Sequence, residues 1–529
     1  MRRPLLAGKR ARNGLAQGAP PDAPASADEA SGRASENGPE SGGQSSRILV
    51  NASFRALADI GSKIATATLY ILVARKAGAS QFGVLAFGIS FGGIVVTLGQ
   101  FGQEVVLTRE VSRDHTQLER FYSDVLFSKL MLSVPPLLVA VGVAALLGTN
   151  LDTSLVVLFM GLGFIGDCVI GVSFAVFLAF ERVGFVPVVL VTQRWATTAA
   201  AATALFLGQG VVAVAAIYCI GAAMSALFAV WLLYHRIARP RLHFDWRASL
   251  RVSREAIPIG LGTIAFLLLS RIDTTMLQLF TNSTEVGQYG AAYRLLETTA
   301  FVTWSVNTAV IPTMSRLNPR SNPPVGFVYE RAIKLVLSLT VPLAVGAVIL
   351  ASPIVALLYG PEFHRAADAV VLLAPTIMLY PISALSTALI YSQDVRRIVG
   401  ATYVTVLVEN VVWNLIAIPR FSLYGAAVGT SVSELLVSST LVLLSKRLHG
   451  PLGIGRIIAG PVLASAVSAA AMVSFQDTLA IAIPLGITLY FAVLLAFERV
   501  RYPDDFAVLA GLADRLRGRS GEVLTMPSE

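Results

Sequence analysis

Pro258 to Glu297 reads PIGLGTIAFLLLSRIDTTMLQLFTNSTEVGQYGAAYRLLE, and this stretch decides the fold. Its first half is an apolar helix of membrane-spanning length with Arg271 and Asp273 well inside it. A short polar hairpin, Thr281 to Gln288, follows, and a second apolar helix opens with Arg294 and Glu297 one turn apart. An Arg or Asp at mid-membrane costs about 2.5–3.5 kcal/mol even on the lenient insertion scale. Such charges persist where they face protein or a watery cavity. The rest of the chain reads as the bundle around that cavity.

Composition agrees. The 529 residues are 55% hydrophobic and 14% charged, with a mean hydropathy of +0.69. Soluble chains are nearer to roughly a quarter charged. The net charge of +9 does not point to nucleic acid, because the basic residues lie in loops between apolar spans. Cys168 and Cys219 fall inside spans and read as small packing residues, not as a disulfide or metal site. Met1 to Ser46 has almost no large apolar residue and reads as a disordered tail without a signal peptide.

Apolar spans of about 20 residues then follow steadily. They are expected at 50–73, 83–104, 124–147, 154–179, 185–207, 211–235, 256–280, 290–313, 331–357, 367–391, 398–419, 423–445, 457–475 and 478–498. The fold class is therefore an all-α polytopic membrane protein with about fourteen transmembrane helices. The last two spans, separated by Gln476-Asp477-Thr478, are two helices or one re-entrant feature. Arg109, Arg113, Arg120, Arg182, the run Arg236 to Arg254, Arg316, Arg396, Arg397, Lys446 and Arg447 all fall in alternate loops. The opposite loops offer only Arg75, Lys76, Arg365 and Arg420, so both termini are expected in the cytoplasm. Arg greatly outnumbers Lys and Ala is abundant, which suggests a GC-rich bacterial genome and the inner membrane of such a cell.

The basic segment near 237–255 divides the chain: a tail at 1–46, a first lobe at 47–236, a second at 256–447, two more helices at 448–499 and a cytoplasmic tail at 500–529. Asp504 to Gly518 suits a short helix on the inner membrane surface or a frayed end. Gly78-Ala79-Ser80-Gln81-Phe82-Gly83, after the first span, resembles Asn282-Ser283-Thr284-Glu285-Val286-Gly287, after the seventh. The similarity is either chance or the trace of a parallel repeat about an axis normal to the membrane.

Arg271-Ile272-Asp273-Thr274-Thr275-Met276-Leu277, Val286-Gly287-Gln288-Tyr289 and Ala291-Ala292-Tyr293-Arg294-Leu295 resemble the middle of the polysaccharide repeat-unit flippases. These belong to the multidrug/oligosaccharidyl-lipid/polysaccharide exporter superfamily. Ala74-Arg75-Lys76-Ala77-Gly78, Leu358-Tyr359-Gly360-Pro361-Glu362-Phe363 and Tyr424-Gly425-Ala426-Ala427-Val428-Gly429-Thr430-Ser431-Val432-Ser433-Glu434 fit in order, so the resemblance runs from about Arg47 to about Arg499. It implies two six-helix lobes around a central cavity, two extra C-terminal helices and alternating access. The implied substrate is a sugar linked through pyrophosphate to a polyprenyl lipid. A polysaccharide polymerase and glycosyltransferases are implied as partners. The competing expectation is a cation-coupled small-molecule or drug exporter of the same superfamily, which favours a carboxylate-dominated cavity.

No catalytic constellation, Walker-type loop or metal spacing appears, so no enzyme activity and no cofactor are expected. The candidate residues are the charges inside spans. Arg55, Lys63, Arg194, Arg271 and Arg294 are the candidate cavity cations; Asp59, Asp167, Asp273 and Glu297 are cavity or bracing carboxylates. The other reading of each is an interhelical ion pair that fixes the bundle. Arg271 and Asp273, two residues apart, point nearly opposite ways, so Arg271 is expected in the cavity and Asp273 against a neighbouring helix.

Overall fold

A computed structural model describes residues 40–97, 102–146, 150–317, 321, 324–392, 396–450 and 452–503, with side chains from Ala58 onward apart from those of 95, 96, 145, 146, 255–261 and 396. The chain divides into Met1–Ser53 and Phe54–Glu529, and every contact below lies in the second unit. Fifteen α-helices account for the regular structure of the described residues, with two short 3₁₀ turns. They are α1 (Glu40–Thr97), α2 (Gln103–Arg113), α3 (Leu118–Leu146), α4 (Leu151–Ala179), α5 (Phe185–Phe206) and α6 (Val211–Arg236). The second half has α7 (Trp246–Phe280), α8 (Ser283–Arg316), α9 (Val325–Ile349), α10 (Ala351–Tyr359), α11 (His364–Ser392), α12 (Arg396–Phe421) and α13 (Leu423–His449). α14 (Ile454–Ser474) and α15 (Leu479–Arg501) close the chain.

Each expected span falls on helix. Among the described residues, eleven helical segments are long and apolar enough to cross a membrane; the first, Ala58–Ile94, takes in parts of two expected spans joined at Gly78. Gly78 takes φ 77°, a left-handed conformation that breaks the helix between them. The expected spans on α5 and α8 are equally helical, although their composition keeps them out of the eleven. α14 and α15 are two separate helices packed on each other, which settles the re-entrant alternative.

The differences from expectation have local causes. The polar hairpin shrinks to Thr281 and Asn282, because the Asn282 side chain accepts from the Glu285 amide at 3.1 Å and starts α8 early. α7 likewise starts at Trp246, inside the expected linker, because Asp245 accepts from the amides of Arg247 and Ala248. The second span stops short of 104, and α2 starts after Gly102, at φ 71°. Leu350 separates α9 from α10. Residues 40–46, expected in the tail, are the start of α1; residues 1–39 and the surface helix expected after Asp504 lie outside the described residues.

The two halves repeat the same packing. α4 packs on α3 and α6 in the first half, as α11 packs on α9 and α13 in the second; α5 packs on α6 as α12 packs on α13. α1 meets α5 where Thr198 Oγ1 donates to the Ala65 carbonyl, and α7 meets α12 at the equivalent place. The link between halves is reciprocal. A Cβ on Gly83 would run into the Ser283 carbonyl, and a Cβ on Gly287 would run into the Ala79 carbonyl. These are matching positions of the two similar hairpins, so the contact has the isologous form of a twofold interface. The hairpin similarity is a parallel repeat: two six-helix lobes, with α14 and α15 added after the second.

Candidate functional site at the seam between the lobes

The hairpin end of the seam is sealed. One apolar core runs through both lobes there, with Phe82 against Tyr70, Tyr359 and Phe363. Arg75 donates from Nε to the Leu358 carbonyl at 2.8 Å and from Nη2 to that of Leu357, tying the first lobe to α10. The Ala79 amide donates to Glu362 Oε1 at 3.2 Å. Gln288 Nε2 donates to the Glu362 carbonyl at 2.7 Å, and Arg365 pairs with Glu285.

Deeper in the seam the contacts change character. Arg271, on α7, reaches the first lobe: its Nη1 donates to the Ile89 carbonyl at 3.2 Å, and its guanidinium lies 5.9 Å from the Phe164 ring centre. The space it fills exists because residue 93 is glycine; a Cβ there would stand 3.0 Å from Arg271 Cζ. Among the described residues no carboxylate pairs with Arg271. Arg294 also crosses the seam, 4.6 Å over the Tyr70 ring, and pairs with Glu297 on its own helix. Arg271, Arg294 and Glu297 line one small cleft with Ser90 and Tyr293.

Arg194 and Asp167 sit in the first lobe. Asp167 accepts from Gln193 Nε2 at 2.7 Å and Tyr218 OH at 2.5 Å, which ties α4 to α5 and α6. Arg194 lies 6.0 Å over the Tyr218 ring, and Tyr218 meets Phe164 edge-on at 5.8 Å. Phe164 and Tyr218 therefore stand between Arg194 and Arg271. Rings beside guanidinium groups stabilise the charge by about 0.5–2 kcal/mol each without neutralising it. Asp59 and Lys63 are exposed on α1, and the structure brings no charged partner to them among the described residues. The side chain of Arg55 lies outside the described residues.

Asp273 is buried between four helices of the second lobe. Its Oδ1 accepts from Asn414 Nδ2 at 2.6 Å; its Oδ2 accepts from Thr430 Oγ1 at 2.6 Å and Tyr289 OH at 3.3 Å. All these donors are neutral, so the carboxylate is solvated by hydrogen bonds and paired with no cation among the described residues. Asp273 also borders a cavity of about 300 Å³ that Arg271 borders at its mouth. Both residues therefore line one cavity, although their spacing on α7 points to separate surroundings.

Several residues of this site are not singled out by the sequence. Asn410 and Asn414 on α12, and Thr430 and Glu434 on α13, are i, i+4 pairs that place polar groups on one helix face. That spacing inside apolar spans is the available signal. Glu434 borders the same cavity and accepts from Ser383 Oγ at 2.5 Å. Lys129, almost fully buried, pairs with Glu104 of α2 at 2.5 Å, and among the described residues no group of His, Cys, Asp and Glu side chains could hold a metal ion.

Comparison with known proteins follows this geometry. The "Probable low-salt glycan biosynthesis flippase Agl15" of Haloferax volcanii is 22% identical over 365 residues, 68% of this chain and 75% of that protein. Among solved structures, "Lipid II flippase MurJ, inward closed conformation" superposes with a TM-score of 0.72 at 15% identity, covering 85% of this chain and 99% of that one. An inward-facing multidrug resistance MATE family transporter superposes with a TM-score of 0.57 at 13% identity, covering 73% and 95%. Both share the two-lobed fold. The MatE family matches residues 258–416, and the family described as polysaccharide biosynthesis protein matches residues 48–318, just over half of the chain. This multi-pass membrane protein belongs to the polysaccharide biosynthesis protein family of the multidrug/oligosaccharidyl-lipid/polysaccharide exporter superfamily.

Proposed function

We propose that the protein is a flippase that carries a polyprenyl-pyrophosphate-linked oligosaccharide from the cytoplasmic to the outer leaflet for surface polysaccharide assembly. The observation that carries this is Arg271: a guanidinium held in the seam by one carbonyl and one ring, with no carboxylate partner among the described residues. A pyrophosphate must shed water to cross about 30 Å of hydrocarbon. Guanidinium groups replace that water with charge-assisted, bidentate hydrogen bonds. The lipid tail stays in the bilayer while the head group passes between the lobes.

The hairpin face is assigned to the outside and the linker face, with its run of arginines, to the cytoplasm of a bacterial inner membrane. The sealed hairpin end then corresponds to a state closed to the outside. Opening it requires release of Arg75 and Glu362 and separation of Gly83 from Gly287. Arg55 and Lys63, in the inner half of the first span, receive the pyrophosphate; Arg271 and Arg294 take it over in the outer half. Transport needs no chemistry from the chain, so purified protein should turn over neither ATP nor a sugar nucleotide.

Arg271→Ala and Arg294→Ala should each abolish surface glycan at a normal protein level, with lipid-linked precursor accumulating in the cytoplasmic leaflet. Arg271→Lys should restore part of the export, since an ammonium makes no fork. If both alanine variants export normally, the cations are structural and the assignment fails. The carboxylates around the second-lobe cavity, Asp273 and Glu434, favour a second reading, a cation exporter. Efflux of a cationic dye that depends on Glu434, with glycan export intact, would establish it instead.

A further inference from the structure

The cavity of about 300 Å³ in the second lobe lies behind Arg271 and has two unlike walls. One wall is aromatic: Trp304, Phe266 and Tyr380 border it, with the Phe266 and Tyr380 rings 6.2 Å apart and tilted by 21°. Trp304 is 63% exposed although it sits in the middle of α8. The other wall is polar: Glu434 borders it, and Asn410 is fully buried with its amide bonded to Ser433 and Asn414. Asp273 is occupied by its three donors and Glu297 by Arg294. Glu434 has Ser383 on Oε1, and its Oε2 has no protein partner among the described residues.

Three occupants can be weighed against these walls. A pyrophosphate is repelled by the carboxylates and is held at the mouth by Arg271. A polyprenyl tail would strip water from Glu434 and return no hydrogen bond. A pyranose matches both walls, since its C–H face is apolar and suits an aromatic surface while its hydroxyl edge donates to a carboxylate. The volume is at the lower end of small-molecule sites, roughly 300–1,000 Å³, which suits one sugar residue and not a whole repeat unit.

Resting on the flippase assignment above, we infer that this chamber is the subsite for the sugar attached to the pyrophosphate. We further infer that it admits a neutral or amino sugar and rejects an acidic one. Trp304 stacks on the ring, Glu434 Oε2 holds its edge, and Arg271 holds the adjoining phosphates. An amino sugar gains a charge pair with Glu434. A uronate places a carboxylate against Glu434 inside a low-dielectric wall, where like charges repel most.

The test measures binding of a short-chain polyprenyl diphosphate to the full-length protein in nanodiscs. The probe is bare or carries one glucose, one glucosamine or one glucuronic acid. The wild type should bind the glucose and glucosamine forms about tenfold more tightly than the bare lipid, and the glucuronic acid form no better than the bare lipid. Trp304→Ala and Glu434→Gln should each erase the glucose increment and leave bare-lipid affinity unchanged, which also reports that the variant is folded. Glu434→Gln should in addition admit the glucuronic acid form. An increment that survives in both variants, or a uronate bound as tightly as glucose by the wild type, overturns the subsite and leaves the flippase assignment standing. Absence of bare-lipid binding in the wild type overturns both.

Discussion

The two ends of the α1–α8 seam are built on opposite principles. At the hairpin end the lobes mirror each other: Gly83 faces Ser283, Gly287 faces Ala79, and an apolar core closes around them. Deeper in the seam the mirror fails. In the same repeat register, Arg271 has Ala67 as its counterpart and Asp273 has Leu69. Arg294 has Ser90, and Glu297 has Gly93. The second lobe carries the charge, and the first lobe supplies small residues, carbonyls and rings to receive it. Symmetry suits a seal, because both faces must fit whenever the lobes close. Asymmetry suits a binding site, because a pyrophosphate with a sugar on one side has no twofold axis.

The largest effect should come from breaking the symmetric end. Gly287→Leu or Gly83→Leu places a side chain into backbone carbonyl atoms, which cannot swing aside as a flexible side chain would. Overpacking costs about 1–3 kcal/mol, and here it falls on the closed seam alone. Both variants should stop glycan export and raise labelling of a cysteine at Ser90 by an impermeant reagent. The repeat makes the two variants equivalent, so a strong effect at one glycine with none at the other would break the comparison.

A smaller effect follows from imposing symmetry on the deeper end. Gly93→Glu gives the first lobe the counterpart of Glu297 and sets a carboxylate against Arg271. The guanidinium then has a permanent partner that competes with phosphate. Export should fall about tenfold, the equivalent of roughly 1.4 kcal/mol of binding. Gly93→Ser, of similar reach to a small side chain but neutral, should fall less. Equal loss in the two variants would mean that space, not charge, sets the function of this position.

Legibility from sequence follows the same division. Span positions, the repeat and the seam charges at Arg271 and Arg294 can be read because the bilayer penalises each charge and each break in an apolar run. Asp273 can be read as a brace on the same ground. Its partners cannot: Asn414, Thr430 and Tyr289 are cheap in a membrane helix, and only the tertiary approach of α7, α8, α12 and α13 gives them a role. Glu434 stands inside the segment that carries the family resemblance, yet no local signal marks it as a cavity residue. The early starts of α7 and α8 were also hidden, since one capping side chain outweighs the polarity of the residues after it.

The smallest expected effect concerns Asp273 and its apolar counterpart Leu69. A carboxylate bonded by Asn414, Thr430 and Tyr289, with no cation paired to it among the described residues, retains much of its desolvation cost. Asp273→Asn keeps the shape and removes the charge. Asn414 can still donate to the amide oxygen, and the Thr430 and Tyr289 hydroxyls can turn to accept from its amide group. The variant should therefore be slightly more stable, by about 1 kcal/mol, a rise in Tm of ~2 °C for a chain of this size. Asp273→Leu, which makes the two halves alike, should do the reverse, because it removes the acceptor shared by Asn414, Thr430 and Tyr289 and leaves them only their bonds to Asn410, to the Ala426 carbonyl and to each other, at about 0.5–1.5 kcal/mol for each hydrogen bond lost. Thermal unfolding of both variants in detergent separates the roles. A brace that depends on charge loses stability in both; a charge held for transport loses stability only in the leucine variant, while export falls in both.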